Sequence, residues 1–140
     1  MLPRCSEIAR DSDDPHRKVG CFILNSDGQE VAIGTNKLPR GCTPTPEKIS
    51  RPQKYIWIEH AERNAIFDAV RRGVSLRGCT LFTNFWPCAD CMRAIIQSGI
   101  IKVVSSCEPD FDHERWGEQF RISMEMLNEA GLHHTILRED

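Results

Sequence analysis

The sequence lacks the long apolar runs of a membrane protein: its uninterrupted apolar stretches, such as Cys21–Leu24, are only a few residues long, against the ~20 that span a bilayer. No signal-peptide pattern opens it, so the expectation is a cytoplasmic protein with no membrane partner. Aromatic residues are few, six Phe, three Trp and one Tyr, but 40% hydrophobic and 27% charged residues exclude a disordered or collagen-like chain. A strong charge of one sign is also missing. Eighteen basic against 20 acidic residues give a net charge of −2, which argues against a protein that coats a nucleic-acid polymer. The charge is uneven: nine basic against five acidic residues over 41–107, three against nine over 108–140. A basic centre of that kind can receive one small anion. The seven cysteines are an odd number, which makes a disulfide framework a poor explanation and leaves burial or metal binding. At 140 residues the chain is short for more than one domain, so 1–140 is read as a single domain with one core and one site.

The pattern of apolar residues predicts an α/β order. A short helix is expected near 1–10, then a β-hairpin over 19–35 with turn chemistry at Asn25–Gly28. Four prolines and Gly41 make 39–52 a loop. Ala61, Ala65, Ile66, Ala69 and Val70 recur at helical spacing and predict a helix over about 60–72, stopped at Gly73. A strand over 79–85 and a helix opened by Pro87 and closed at Gly99 follow, then a strand over 100–105, a helix over 114–130 and a final strand over 133–137. Alternation of this kind implies a mixed sheet of about five strands covered by helices.

Chemistry concentrates at the starts of two of these helices. Cys88 and Cys91 are three residues apart, so their sulfurs share one face and can bridge one metal ion. The helix N-terminus favours their thiolate forms. A redox pair is the alternative for a Cys-x-x-Cys standing alone, but here His60-Ala61-Glu62 begins the other helix. One His and two Cys leave the fourth tetrahedral position of Zn2+ open to water, which marks a catalytic rather than a structural zinc. In a first helical turn Glu62 can reach that water and move its proton. His60 and Glu62 taken singly read as an ordinary histidine and a solvated charge; His-x-Glu together with Pro-Cys-x-x-Cys is the established signature of zinc deaminases.

The resemblance extends further. Arg51-Pro52-Gln53-Lys54-Tyr55, the run Ile58–Ile66, Phe85–Cys91 with Ile95–Ile100, and more weakly Val19-Gly20 and Gly34–Gly41, resemble the deoxycytidylate (dCMP) deaminase branch of the cytidine deaminase superfamily over about residues 15–135. That resemblance implies a three-layer α-β-α fold and zinc-dependent hydrolysis of a cytosine nucleotide, dCMP to dUMP. It implies His60, Cys88 and Cys91 as zinc ligands, Glu62 as the catalytic acid and base, and a homo-oligomer. It also implies that Asn36, Ala61 and Trp86 contact the substrate, although an Asn can equally hold its own turn and a Trp can equally be core. Thr35 and Lys37 depart from the family's usual Tyr and Gly, which puts regulation by deoxynucleoside triphosphates in doubt. Arg17, Lys18, Lys37, Arg40 and Lys54 are the candidates for a phosphate partner. The alternatives are a deaminase of another nucleoside or free base, an adenosine deaminase acting on tRNA, and a non-catalytic zinc domain. A second zinc on Cys42 and His16 is a further possibility.

Overall fold

The computed structural model describes residues 2–137. Helix α1 (Pro3–Ala9) precedes the hairpin of β1 (Gly20–Leu24) and β2 (Glu30–Thr35). A single-turn helix α2 (Lys54–Trp57) and then α3 (Ala61–Arg72) lead to β3 (Thr80–Thr83), α4 (Ala89–Gln97), β4 (Lys102–Ser105), α5 (Gly117–Glu129) and β5 (His133–Ile136). The five strands form one sheet in the order β2-β1-β3-β4-β5, with β1 antiparallel to both neighbours and β3, β4 and β5 parallel. Parallel neighbours need crossovers, and α4 and α5 supply them. The α/β class and the mixed five-stranded sheet are those the sequence pattern predicts.

Local chemistry explains the boundaries. Asn25 Oδ1 accepts the N–H groups of Asp27 and Gln29 at 3.0 Å each, which closes the hairpin turn. Gly73 adopts the left-handed conformation (φ 71°), and the Val74 N–H bonds back to the Ala69 carbonyl at 2.9 Å, ending α3. Helix α2 has no counterpart in the expected elements, because one turn carries too few residues to show a period. Helix α5 starts three residues later than the apolar spacing suggests: His113 Nδ1 accepts the N–H groups of Arg115 and Trp116 and holds 114–116 in a turn.

The sheet is covered on both faces. Gly20 and Cys21 are consecutive, so they face opposite sides. On the Gly20 side α1 lies so close that a Cβ there would sit 1.9 Å from the Cys5 carbonyl oxygen. On the other side Gly34, paired with Cys21, would place a Cβ 2.3 Å from both the Ala61 carbonyl oxygen and the Ala65 nitrogen. Helix α3 therefore rests directly on β2. The main core joins Cys21, Ile23, Leu81 and Val103 from the sheet to Ala65, Ala69, Met92, Ile95, Phe120 and Leu127 from α3, α4 and α5. A smaller cluster of Cys5, Ile8 and Phe22 lies under α1, where the Phe22 and Phe82 rings stack at 4.7 Å. The result is three layers, α-β-α. All seven cysteines are free; burial pushes Cys5 up to about 12 and raises Cys21 and Cys79, so these thiols act as small apolar side chains. Among the described residues, no helix is long and apolar enough to cross a membrane.

Candidate active site

Two helix N-termini converge at the same end of the sheet. His60 is the N-cap residue of α3 and Cys88 that of α4; both have extended backbone, and neither side chain caps its own helix. Their side chains are free to meet instead. His60 Nδ1 lies 3.4 Å from Cys88 Sγ and 3.3 Å from Cys91 Sγ, and all three ligand atoms are within 4.8 Å of one another. Zinc bonds of about 2.0 Å to nitrogen and 2.3 Å to sulfur at a tetrahedral angle put donors about 3.6 Å apart. The nitrogen–sulfur spacings fit that requirement, and the donor set suits zinc. The segment bearing His60 is anchored: Lys37 and Glu59 exchange backbone hydrogen bonds at 3.1 and 2.8 Å, and Asn64 Nδ2 donates to the Thr35 carbonyl at 2.8 Å.

The donors perturb one another. Cys88 is drawn down to about 4, chiefly because the Cys91 thiol donates to it and His60 stands beside it. Cys91 rises well above its ordinary value of 9.0, because Cys88 holds its proton and burial opposes a second charge. His60 is pushed up to about 9, first by its bond to Cys88. A thiolate is thus ready for a metal ion.

Glu62, in the first turn of α3, is only 4% exposed. Burial pushes its carboxyl above the ordinary 4.5, with the neighbouring His60 pulling the other way. One oxygen, Oε1, lies 3.1 Å from the hydroxyl of Thr83. A carboxylate adjusted toward neutrality can both take and return a proton.

His60, Glu62 and Cys88 line a cavity of about 220 Å³. Asn36, Ala61 and Trp86 border it, as do Phe85, Trp116 and Phe120. The Asn36 side chain is already engaged, donating to the Arg17 carbonyl at 2.7 Å and accepting from Val19 N–H at 3.0 Å and from Ser12 Oγ at 2.7 Å. Trp86 is 1% exposed, and its Nε1 donates to Ser123 Oγ at 2.7 Å, so most of its surface belongs to the core. Of the five cations singled out in the sequence, Arg17 and Lys54 reach the cavity, whereas Lys18, Lys37 and Arg40 do not line it. Lys37 is taken by Asp11 and Asp13 at 3.4 and 3.9 Å. Lys54 is buried in an ion pair with Asp14 at 3.1 Å. Arg51 and Arg115 also line the cavity and were not among the sequence candidates. The Arg17 guanidinium stacks 4.5 Å from the Phe85 ring centre and that of Arg115 4.6 Å from Tyr55. Among the described residues, Arg17, Arg51 and Arg115 have no acidic partner. His16 lines the cavity as well, but Cys42 is exposed, and the metal-capable group found among the described residues is His60, Cys88 and Cys91.

Three soft and nitrogen donors beside a buried carboxylate, at the end of a mixed α/β sheet, have the chemistry of a catalytic zinc centre. The sequence profile of the cytidine and deoxycytidylate deaminase zinc-binding region matches residues 1–107, and the chain belongs to that zinc-dependent family. It is 35% identical over 129 residues to the uncharacterized deaminase in the luxG 3′ region of Aliivibrio fischeri, covering 92% of this chain and 85% of that protein. It is 35% identical over 102 residues to the deoxycytidylate deaminase of Homo sapiens, covering 69% of this chain but only 56% of the human protein. The crystal structure of dCMP deaminase from the cyanophage S-TIM5 in apo form matches with a TM-score of 0.71 and 25% identity, covering 94% of this chain and 90% of that one.

Proposed function

We propose that the chain hydrolyses the 4-amino group of dCMP, yielding dUMP and ammonia, with His60, Cys88 and Cys91 holding zinc and Glu62 moving the protons. The observation that carries the reading is a buried carboxylate beside the three-donor group, in a cavity whose wall holds three arginines. When bound, zinc supplies a Lewis acid that makes water nucleophilic at neutral pH. Glu62 would take one proton from water and pass it to the ring nitrogen, then take the second from the hydroxyl added at C4 and deliver it to the departing amine. Ala61 and Trp86 shape the wall against the ring, and Asn36 fixes the Arg17–Val19 segment beside it. Arg17, Arg51 and Arg115 receive the 5′-phosphate, the anion that unpaired guanidinium groups bind best. The names of the human and cyanophage relatives support the nucleotide substrate. The net charge of −2 supports a small molecule over a nucleic-acid polymer. The same reading has one domain, acting in the cytoplasm as a homo-oligomer; a monomer in light scattering contradicts the last point.

The test is Glu62→Gln. It keeps the side-chain volume and removes the proton carrier, so kcat should fall by roughly 10³-fold while zinc content stays at the wild-type level. Loss of zinc together with activity would make Glu62 a structural residue instead.

A further inference from the structure

We infer that Thr83 is a positioning residue for Glu62, holding one carboxylate oxygen so that the other faces the cavity; this rests on the deaminase reading above. In the sheet, Thr83 occupies an inward row. Cys21 pairs with Thr83 and Ile23 with Leu81 across β1 and β3, and Leu81 pairs with Val103 across β3 and β4. Cys21, Ile23, Leu81 and Val103 are all fully buried and apolar, and they pack against α3 and α4. Thr83 is fully buried too. A hydroxyl in such a row is costly unless it is hydrogen-bonded.

Two partners account for it. One is local: Thr83 Oγ1 accepts the Phe85 N–H at 3.3 Å and lies 3.0 Å from the Phe85 carbonyl oxygen. The other is Glu62 Oε1 at 3.1 Å. The adjacent strand carries an internal control. Ser105 is paired with Thr83 in the parallel register and is also fully buried. Its Oγ makes the same local turn with Cys107, accepting the N–H at 3.1 Å and donating to the carbonyl at 2.8 Å. Among the described residues, no carboxylate bonds the Ser105 hydroxyl. The local turn is therefore common to both strand ends, and the contact with the carboxylate is particular to Thr83.

The experiment compares Thr83→Val, Thr83→Ser and Ser105→Val by steady-state kinetics on dCMP, with zinc content measured for each. Thr83→Val should lower kcat by about tenfold to a hundredfold, the equivalent of one charge-assisted hydrogen bond, with KM and zinc content unchanged. Thr83→Ser should restore kcat. Ser105→Val, which loses only the local turn, should leave kcat at the wild-type value. If Thr83→Val folds poorly, Thr83→Ala replaces it and the same split in kcat is read. A Thr83→Val enzyme with wild-type kcat, or equal losses in Thr83→Val and Ser105→Val, overturns the positioning role alone. A wild-type chain that releases no ammonia from any cytosine compound overturns the deaminase reading, and Thr83's role with it.

Discussion

The buried pair of Asp14 and Lys54 illustrates how single residues hold the cavity in shape. Lys54 Nζ lies 3.1 Å from Asp14 Oδ2, and Asp14 Oδ1 also accepts the N–H groups of His16 and Arg17 at 2.9 and 3.2 Å. Burial alone would raise the Asp14 carboxyl, but the two N–H donors and the ammonium outweigh it and hold it below the ordinary 3.8. A carboxyl lowered on folding stabilises the native state above its unfolded value, and that stability is lost as pH falls through the lower, folded value. Asp14→Asn leaves Lys54 buried without a charge partner and should cost about 3 kcal/mol near neutral pH. In urea unfolding, the gap between wild type and variant should narrow below pH 3.8; a gap independent of pH would contradict this role. At this scale the sequence points to His60, Cys88, Cys91 and Glu62, because helical periods and Pro87 place them at helix starts in a pattern that resembles the zinc-deaminase signature. It hides Arg51, Arg115 and Thr83. Arg115 stands in a segment with three basic and nine acidic residues, and segment totals do not record which side chain reaches the cavity. Thr83 looks like an ordinary strand threonine until the fold sets it against Glu62.

Elements place those residues through close packing rather than through long side chains. Helix α3 approaches β2 so closely that only glycine fits at 34, with Ala61 and Ala65 opposite it. Gly34→Ala must push α3 outward against its backbone, and with it the N-cap His60. Overpacking of this kind costs about 2 kcal/mol or more, and it should lower both the unfolding midpoint and the zinc affinity. Wild-type values for both would show that α3 does not rest on Gly34. Helical and strand periods made α3, α4, α5 and the strands legible in the sequence, because each presents an apolar face to one core. The single turn of α2 was not legible, nor was the His113 turn that delays α5, since neither leaves a period to read. The tight seat of α3 was likewise hidden, because a Gly in a strand has several explanations.

Taken whole, the molecule puts every group the proposed chemistry needs at one end of a small three-layer domain. Parallel β3 and β4 deliver Cys88 and Cys91 through the crossover helix, α3 delivers His60 and Glu62 beside them, and loops from distant parts of the chain bring Arg17, Arg51 and Arg115 to the same cavity. In the proposed reading, that assembly separates a nucleotide deaminase from a zinc domain without catalysis, and the arginine wall separates a nucleotide from its nucleoside. The most direct measurement is ammonia release by the zinc-loaded chain from dCMP, CMP, deoxycytidine, cytidine, cytosine, adenosine and guanine under identical conditions. The account predicts turnover of dCMP, with deoxycytidine used far less well and turnover by Glu62→Gln lowered by roughly 10³-fold. Equal use of deoxycytidine and dCMP would contradict the phosphate contact, and silence on every compound would contradict the deaminase itself.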